Sequence, residues 1–329
     1  MSTSQGINQQ LKNFDTANIL NTLRVHAFPG LWLWGLTVLL CLADVALINA
    51  NPLLTFTFIP MIGAIYPLVF VPILIWRLSK ITEAENPKYV RMMRCGLMIL
   101  FLIPTMTALA VFNHVVMAYG SSVPMVDDLL TSWDRALGFD WLGLGRAISS
   151  VPLANLTMDQ IYQFMLPALI MVGLHAIIVG RSDRAAELLA LVITSAIFTV
   201  SLAYFFPAVG AMDHLAGASF KALFSKDTGD SFVPQLLEIR SGVPVLLDPL
   251  HLAGISQFPS FHCVCGVLTI YGSRSAWSSQ VIATIFGMLL IAATPTFGGH
   301  YLVDLIAGAT VAISFILIGQ KIQKKMRKA

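Results

Sequence analysis

The chain has 329 residues, 57% of them hydrophobic and 11% charged, with a mean hydropathy of +0.77 and a formal net charge of +3. Soluble domains carry roughly 25% charged residues, so a water-soluble globular fold is excluded. The apolar residues fall in long runs, which points to one membrane domain rather than the two soluble domains that length alone would give.

In chain order, the first thirty residues are polar to mixed and lack the pattern of a cleavable signal, so the first apolar run is expected to stay as an anchor. A helix needs about 20 apolar residues to cross the hydrocarbon core. Runs of that kind are Leu31 to Ala50, Leu53 to Trp76, Cys95 to Tyr119, Ile161 to Val179, Leu188 to Phe206 and Tyr301 to Gly319. Two weaker ones are Phe258 to about Ser273 and Val281 to about Phe297. The expected fold is therefore all-α, a polytopic membrane helical bundle of about eight transmembrane helices.

With both termini in the cytoplasm and eight alternating spans, fifteen of the 20 Lys and Arg fall on the inside, as the positive-inside rule requires. The outside then receives Arg135, Arg146, Lys221, Lys226 and Arg240. The organisation expected is a cytoplasmic segment 1–30, N-terminal spans with an outer interfacial loop 31–158, a membrane core 159–320 and a basic tail 321–329 that contacts anionic lipid. Two outer segments, 120–159 and 207–257, are long enough to hold structure of their own. Asp127, Asp128, Asp134 and Asp140 in the first are expected to cap interfacial helices rather than to bind metal. Cys41, Cys95, Cys263 and Cys265 are expected to be apolar fillers, because no further ligands stand at metal-site spacing.

Two segments carry the candidate chemistry: Gln257-Phe258-Pro259-Ser260-Phe261-His262 and Gly298-Gly299-His300-Tyr301-Leu302-Val303-Asp304. Each is expected to start a helix from the outer face, where free backbone N–H groups and the partial positive charge favour an anion. Ser260 is a natural cap after a proline, and Gly298 and Gly299 allow close approach to the backbone. His300 and Asp304 are four apart and share a helix face. The carboxylate can then hold one imidazole nitrogen while the other attacks, with His262 protonating the leaving oxygen. A histidine at a membrane helix end also serves as a packing residue, and His-x-x-x-Asp is also half a metal site. The coincidence of two His-bearing starts on one face is what favours a phosphate-ester site.

These residues resemble a known family. Pro259-Ser260-Phe261-His262 is similar to the Pro-Ser-x-His motif of the type 2 phosphatidic-acid phosphatase superfamily, and Gly299-His300-Tyr301-Leu302-Val303-Asp304 resembles its later His-x-x-x-Asp motif. The His-Tyr-x-Val-Asp form resembles most the branch with the inositol phosphorylceramide synthases, as does Phe206-Pro207-Ala208-Val209-Gly210. The likeness covers mainly residues 200–310. It implies a phosphatidic-acid-phosphatase-like core and a metal-independent lipid phosphatase or phosphotransferase with no cofactor. His300 would form a phosphohistidine, Asp304 would orient it, and His262 would act as acid and then base. Ser260 and Gly299 would contribute to the phosphate cradle. The early Lys and Arg-Pro motif of the phosphatases is not found, and Ala293 and Thr294 stand where they carry Ser-Arg. Arg240 is the expected replacement for that positive charge. The expected partners are a lipid phosphate or phospholipid substrate and membrane lipids, without nucleic acid. The rival function is a non-catalytic lipid-binding or transport protein, for which paired repeats and broken helices at mid-membrane would be expected.

Overall fold

The computed structural model describes residues 27–56, 86–224, 232–274, 276–326 and 328. These residues form thirteen helices and one pair of short strands. Helix α1 (Leu31–Ala50) is followed by strand β1 (Leu54–Phe56). Helix α2 (Pro87–Tyr119) starts where the Asn86 side chain accepts from Tyr89 N, with proline in the first turn, and it runs on through Pro104. Three helices, α3 (Asp127–Ala136), α4 (Trp141–Ser149) and α5 (Pro152–Gln163), lead into α6 (Met165–Ile178) and α7 (Ser182–Ala203). Short α8 (Ala211–Leu215), α9 (Ala218–Lys221) and α10 (Phe232–Ile239) follow, then β2 (Val245–Leu247). The chain closes with α11 (Phe261–Gly272), α12 (Trp277–Phe297) and α13 (Leu302–Met326).

Five of these helices, α1, α2, α7, α12 and α13, are long and apolar enough to cross a membrane; α5 and α6, bent by 57° against each other, form either a broken sixth span or a re-entrant loop. The protein is a multi-pass helical membrane protein, but the described residues do not reach the eight spans expected. Helix α11 is apolar yet has 12 residues, a length of about 18 Å against a hydrocarbon core of about 30 Å. The expected span Leu53 to Trp76 is corrected at its start, where Leu54–Phe56 is extended and pairs in parallel with Val245–Leu247. Its remainder, residues 57–76, lies outside the described residues.

Cross-contacts fix how the helices run. The Thr37 and Thr105 hydroxyls meet at 2.9 Å, and Tyr119 OH donates to Leu47 O at 2.9 Å. Helices α1 and α2 therefore run in the same direction, offset by 68 to 72 residues. Arg94 Nη1 donates to Ser182 Oγ at 3.2 Å, which sets the start of α7 beside the start of α2. Phe206, just past α7, packs on Phe258, just before α11, with ring centroids 4.9 Å apart. The ends of α1, α2 and α7 thus gather with the start of α11 at one end of the bundle. At the opposite end Glu187 of α7 accepts from Tyr271 OH at 2.8 Å and pairs with Arg274, whose guanidinium lies 3.5 Å above the Tyr271 ring.

Helices in lipid gain little from hiding apolar surface from one another, so close backbone approach at small residues has to supply the packing. Helices α11 and α12 meet at Gly266 and Gly287, where a Cβ on Gly287 would lie 2.7 Å from Gly266 O. Helix α13 meets the start of α11 at Gly308, where a Cβ would lie 2.3 Å from Ser260 O. That neighbour is main chain and cannot swing aside. Gly308→Ala is therefore expected to cost about 1–3 kcal/mol and to shift the start of α11. A lowered Tm together with a lowered turnover in detergent-solubilised protein is the expected result.

Candidate active site

His262 occupies the first turn of α11. Ser260, fully buried, caps that helix by accepting from Cys263 N at 3.3 Å, while its own N–H donates to Asp304 O at 3.0 Å. The cap therefore fixes the helix start and also ties it to α13, which carries the second motif.

His300 lies in the turn between α12 and α13. Gly299 has φ +64, a left-handed conformation that glycine adopts without penalty, and its carbonyl accepts from Ala211 N at 2.6 Å. One oxygen of Asp304 accepts from Tyr301 N at 2.9 Å and lies 3.1 Å from His300 Nδ1. Both side chains are buried. Burial pushes the His300 imidazole down to about 3, opposed by the Gln257 main chain. Burial thus favours the neutral ring, the form in which a nitrogen lone pair can attack.

The two motifs converge. The His262 and His300 rings stand 6.2 Å apart between centroids, tilted by 58°. A group attacked by one nitrogen and protonated by the other needs about 3–3.5 Å to each, so a single phosphoryl group can contact both rings. Tyr162 of α5 stacks on His262 at 4.1 Å and 15°, with its hydroxyl 3.3 Å from Nδ1. Gly298 makes room for that hydroxyl, since a Cβ there would lie 2.7 Å from it.

A set of residues from the 120–160 segment holds this geometry in place. Asp134 of α3 accepts from Leu302 N at 2.9 Å and Val303 N at 3.0 Å, capping α13 from another helix. Burial pushes its carboxyl above the ordinary value, and those two N–H groups oppose the shift. Asp127, seven residues earlier, accepts from Val209 N, Gly210 N and Tyr301 OH at 3.0–3.1 Å. Trp141 Nε1 lies within 3.1–3.2 Å of the carbonyls of Pro295 and His300. Asp140 caps its own helix by accepting from Gly143 N at 2.9 Å, and Asp128 pairs with His214 at 3.3 Å. The expectation of capping thus holds for Asp140, while Asp127 and Asp134 cap elements far along the chain.

Of the expected residues, His262, His300, Asp304, Ser260 and Gly299 come together. Arg240 is held otherwise. Its guanidinium donates to the main-chain carbonyls of Gly120, Ser121 and Val123, clamping the loop after α2, and none of these bonds turns it toward the histidines. The phosphate role expected of Arg240 gains no support from these contacts. Thr294 is fully buried and bonds Leu290 O at 2.7 Å within its own helix. His114 bonds Gln235 at 3.0 Å, and His251 bonds Asp248 at 2.7 Å. Sequence reasoning assigned no role at the site to Tyr162 or Trp141. The seven-residue spacing of Asp127 and Asp134, two turns apart on one helix face, was the signal available for those two. Among the described residues no three His, Cys, Asp or Glu side chains converge as a metal-ligand set.

A buried histidine held by a carboxylate and facing a second histidine, at the end of a membrane bundle, is arranged for phosphate-ester chemistry. The family model described as the PAP2 superfamily matches residues 128–318, more than half of the chain, and the chain belongs to that superfamily. It is a phosphatase-type enzyme whose substrates are lipid phosphates. The match starts in α3, so the helices that carry Asp134, Trp141 and Tyr162 fall within the matched region. No curated protein and no solved structure matches the chain.

Proposed function

We propose that the protein transfers the phosphoryl group of an amphiphilic phosphate ester through a phosphohistidine at His300, without a metal ion. The observation that carries this reading is the His300–Asp304 contact of 3.1 Å with the His262 ring 6.2 Å away. His300 attacks phosphorus through Nε2, forming the N–P bond while the ester O–P bond breaks, and His262 gives its proton to the departing oxygen. The proton on His300 Nδ1 faces Asp304, which stabilises the charge that develops on the ring. In the second half His262 takes a proton from the acceptor hydroxyl, the new O–P bond forms and His300 is released. The Ser260 hydroxyl, Gly299 and the N-terminal end of α11 supply the donors for the phosphate oxygens, a use of a helix start that needs no cation.

Water as acceptor gives hydrolysis, and an alcohol gives transfer. The lack of the early Lys and Arg-Pro motif, with Ala293 and Thr294 in the later one, supports the transferase branch. The distribution of Lys and Arg supports cytoplasmic termini and a site at the extracytoplasmic headgroup level.

The test is turnover of a mixed set of 32P-labelled lipid phosphates by purified protein in EDTA, with the protein quenched and analysed. Turnover that persists in EDTA and label on the protein that survives alkali but not acid are expected. Activity that vanishes with EDTA and returns with a divalent ion would overturn the metal-free mechanism, and label stable to acid would overturn the histidine.

A further inference from the structure

The rings of Tyr162 and His262 are stacked, with centroids 4.1 Å apart and planes inclined by 15°. The phenolic oxygen lies 3.3 Å from His262 Nδ1, and among the described residues this is the one hydrogen bond of that hydroxyl. Tyr162 is the residue before the last of α5, at the bend into α6, so the turn of the chain lays its ring on the imidazole. Phenylalanine would serve such packing equally well. Two observations single out the hydroxyl.

The first is Gly298, in the turn that carries the second motif. A Cβ there would stand 2.7 Å from the Tyr162 hydroxyl oxygen and 2.8 Å from His300 Cδ2. The missing side chain leaves room for the hydroxyl beside the second histidine, so the phenol stands where the two motifs meet.

The second is that each histidine has a partner at the same nitrogen. His300 Nδ1 lies 3.1 Å from Asp304, and His262 Nδ1 lies 3.3 Å from Tyr162. Which imidazole nitrogen carries the proton is set by the bond that the other one makes. His262 is part-exposed, and its Nε2 has no hydrogen-bond partner among the described residues. The two partners also differ in kind. A carboxylate stabilises a ring that turns positive as it bonds to phosphorus. A neutral phenol holds its ring without that field, which suits an imidazole that must release a proton in one half-reaction and take one up in the next.

We propose that Tyr162 is the positioning residue of His262. Its ring holds the imidazole plane, and its hydroxyl oxygen accepts from Nδ1–H, so that Nε2 is the nitrogen that exchanges protons. This assignment rests on the phosphotransfer reading above. In the first half-reaction Nε2–H of the protonated ring gives its proton to the departing ester oxygen, while His300 bonds to phosphorus and the ester O–P bond breaks. In the second, Nε2 takes the proton of the acceptor hydroxyl, while the new O–P bond forms and the N–P bond breaks. The bond at Nδ1 is kept through both, so the ring need not turn or change tautomer between them.

The test separates proton transfer from structure. Wild type, Tyr162→Phe and Tyr162→Leu are compared on an alkyl lipid phosphate and on p-nitrophenyl phosphate, whose leaving oxygen departs without a proton. The quantity is kcat/KM, which covers the steps through loss of the first leaving group. Tyr162→Phe keeps the stacked ring and is expected to lower kcat/KM for the lipid phosphate about tenfold, the size of one lost hydrogen bond. The aryl phosphate should change by less than about twofold, because it does not call on the acid. Tyr162→Leu loses ring and hydroxyl and should fall about 100-fold on the lipid phosphate. In a His262→Ala background neither substitution should lower the rate further, as for residues that act as a unit. Equal falls on both substrates, or a further loss in the His262→Ala background, would show a structural role and overturn the proposal.

Independently of turnover, 15N NMR of histidine-labelled protein reads the tautomer, with His262→Ala identifying the signal. Wild type is expected to carry the proton of the neutral ring on Nδ1, and Tyr162→Phe to show a mixture of both tautomers. Identical His262 signals from the two proteins overturn the proposal even where no substrate is turned over. The expected spectra together with turnover that needs a divalent ion would uphold the hold on His262 and place the failure in the metal-free reading.

Discussion

Replacing His300 with alanine is expected to lower turnover about 10⁴-fold or more, because in the proposed mechanism the residue supplies the atom that bonds to phosphorus. The side chain is buried beside Asp304 and the Gln257 main chain, so a modest fall in Tm accompanies the loss. Asp304→Asn should cost less, about 10²–10³-fold. It keeps an acceptor for Tyr301 N but no longer offers a carboxylate to the charged ring. The measurement is initial rate on a lipid phosphate with Tm taken on the same preparation. A His300→Ala protein that folds and retains turnover within tenfold of wild type would remove the nucleophile from the mechanism and favour the lipid-binding or transport function.

Asp134→Ala should act on the fold and the site together. It strips the acceptor from two part-buried N–H groups, those of Leu302 and Val303 in the first turn of α13. Each such loss costs about 1–3 kcal/mol. Removing the buried carboxyl relieves part of its own desolvation, so a total near 2–3 kcal/mol is expected. Turnover should fall about 100-fold, because the same turn carries Tyr301 and Asp304 and sets His300, and a displacement of about 1 Å has that effect on reacting groups. Asp134→Asn retains one acceptor and should lie between the two. An unchanged Tm and rate would show that water or another group caps α13.

The membrane character and most spans were legible because a span is a composition statement: α1 matches the apolar run Leu31 to Ala50 residue for residue. The chemical core was legible because each motif is local. Ser260 caps the helix that carries His262, and Asp304 bonds the histidine one turn before it. What stayed hidden depends on contacts between distant segments. The parallel pairing of residues 54–56 with 245–247 has no sequence period of its own. The placement of Arg240 against the loop after α2 joins residues about 120 apart, and nothing local to Arg240 distinguishes it from a phosphate ligand. Tyr162 shows no motif because its role, a face against His262, depends on the bend between α5 and α6.

The capping of α13 by α3 also constrains the order in which the enzyme assembles. Asp134 is 168 residues ahead of Leu302, and Asp127 is 174 ahead of Tyr301. At about 5–20 residues per second, a ribosome takes roughly ten to thirty seconds to cover that distance. Until the end of that interval Asp134 lacks both of its N–H partners and Asp127, which can already meet Val209 and Gly210, lacks Tyr301, and closing so long a loop is a late event. The proposed nucleophile His300 arrives in the turn before α13 and is locked by a segment synthesised long before it, so by that mechanism the nascent chain stays catalytically silent until α13 has docked.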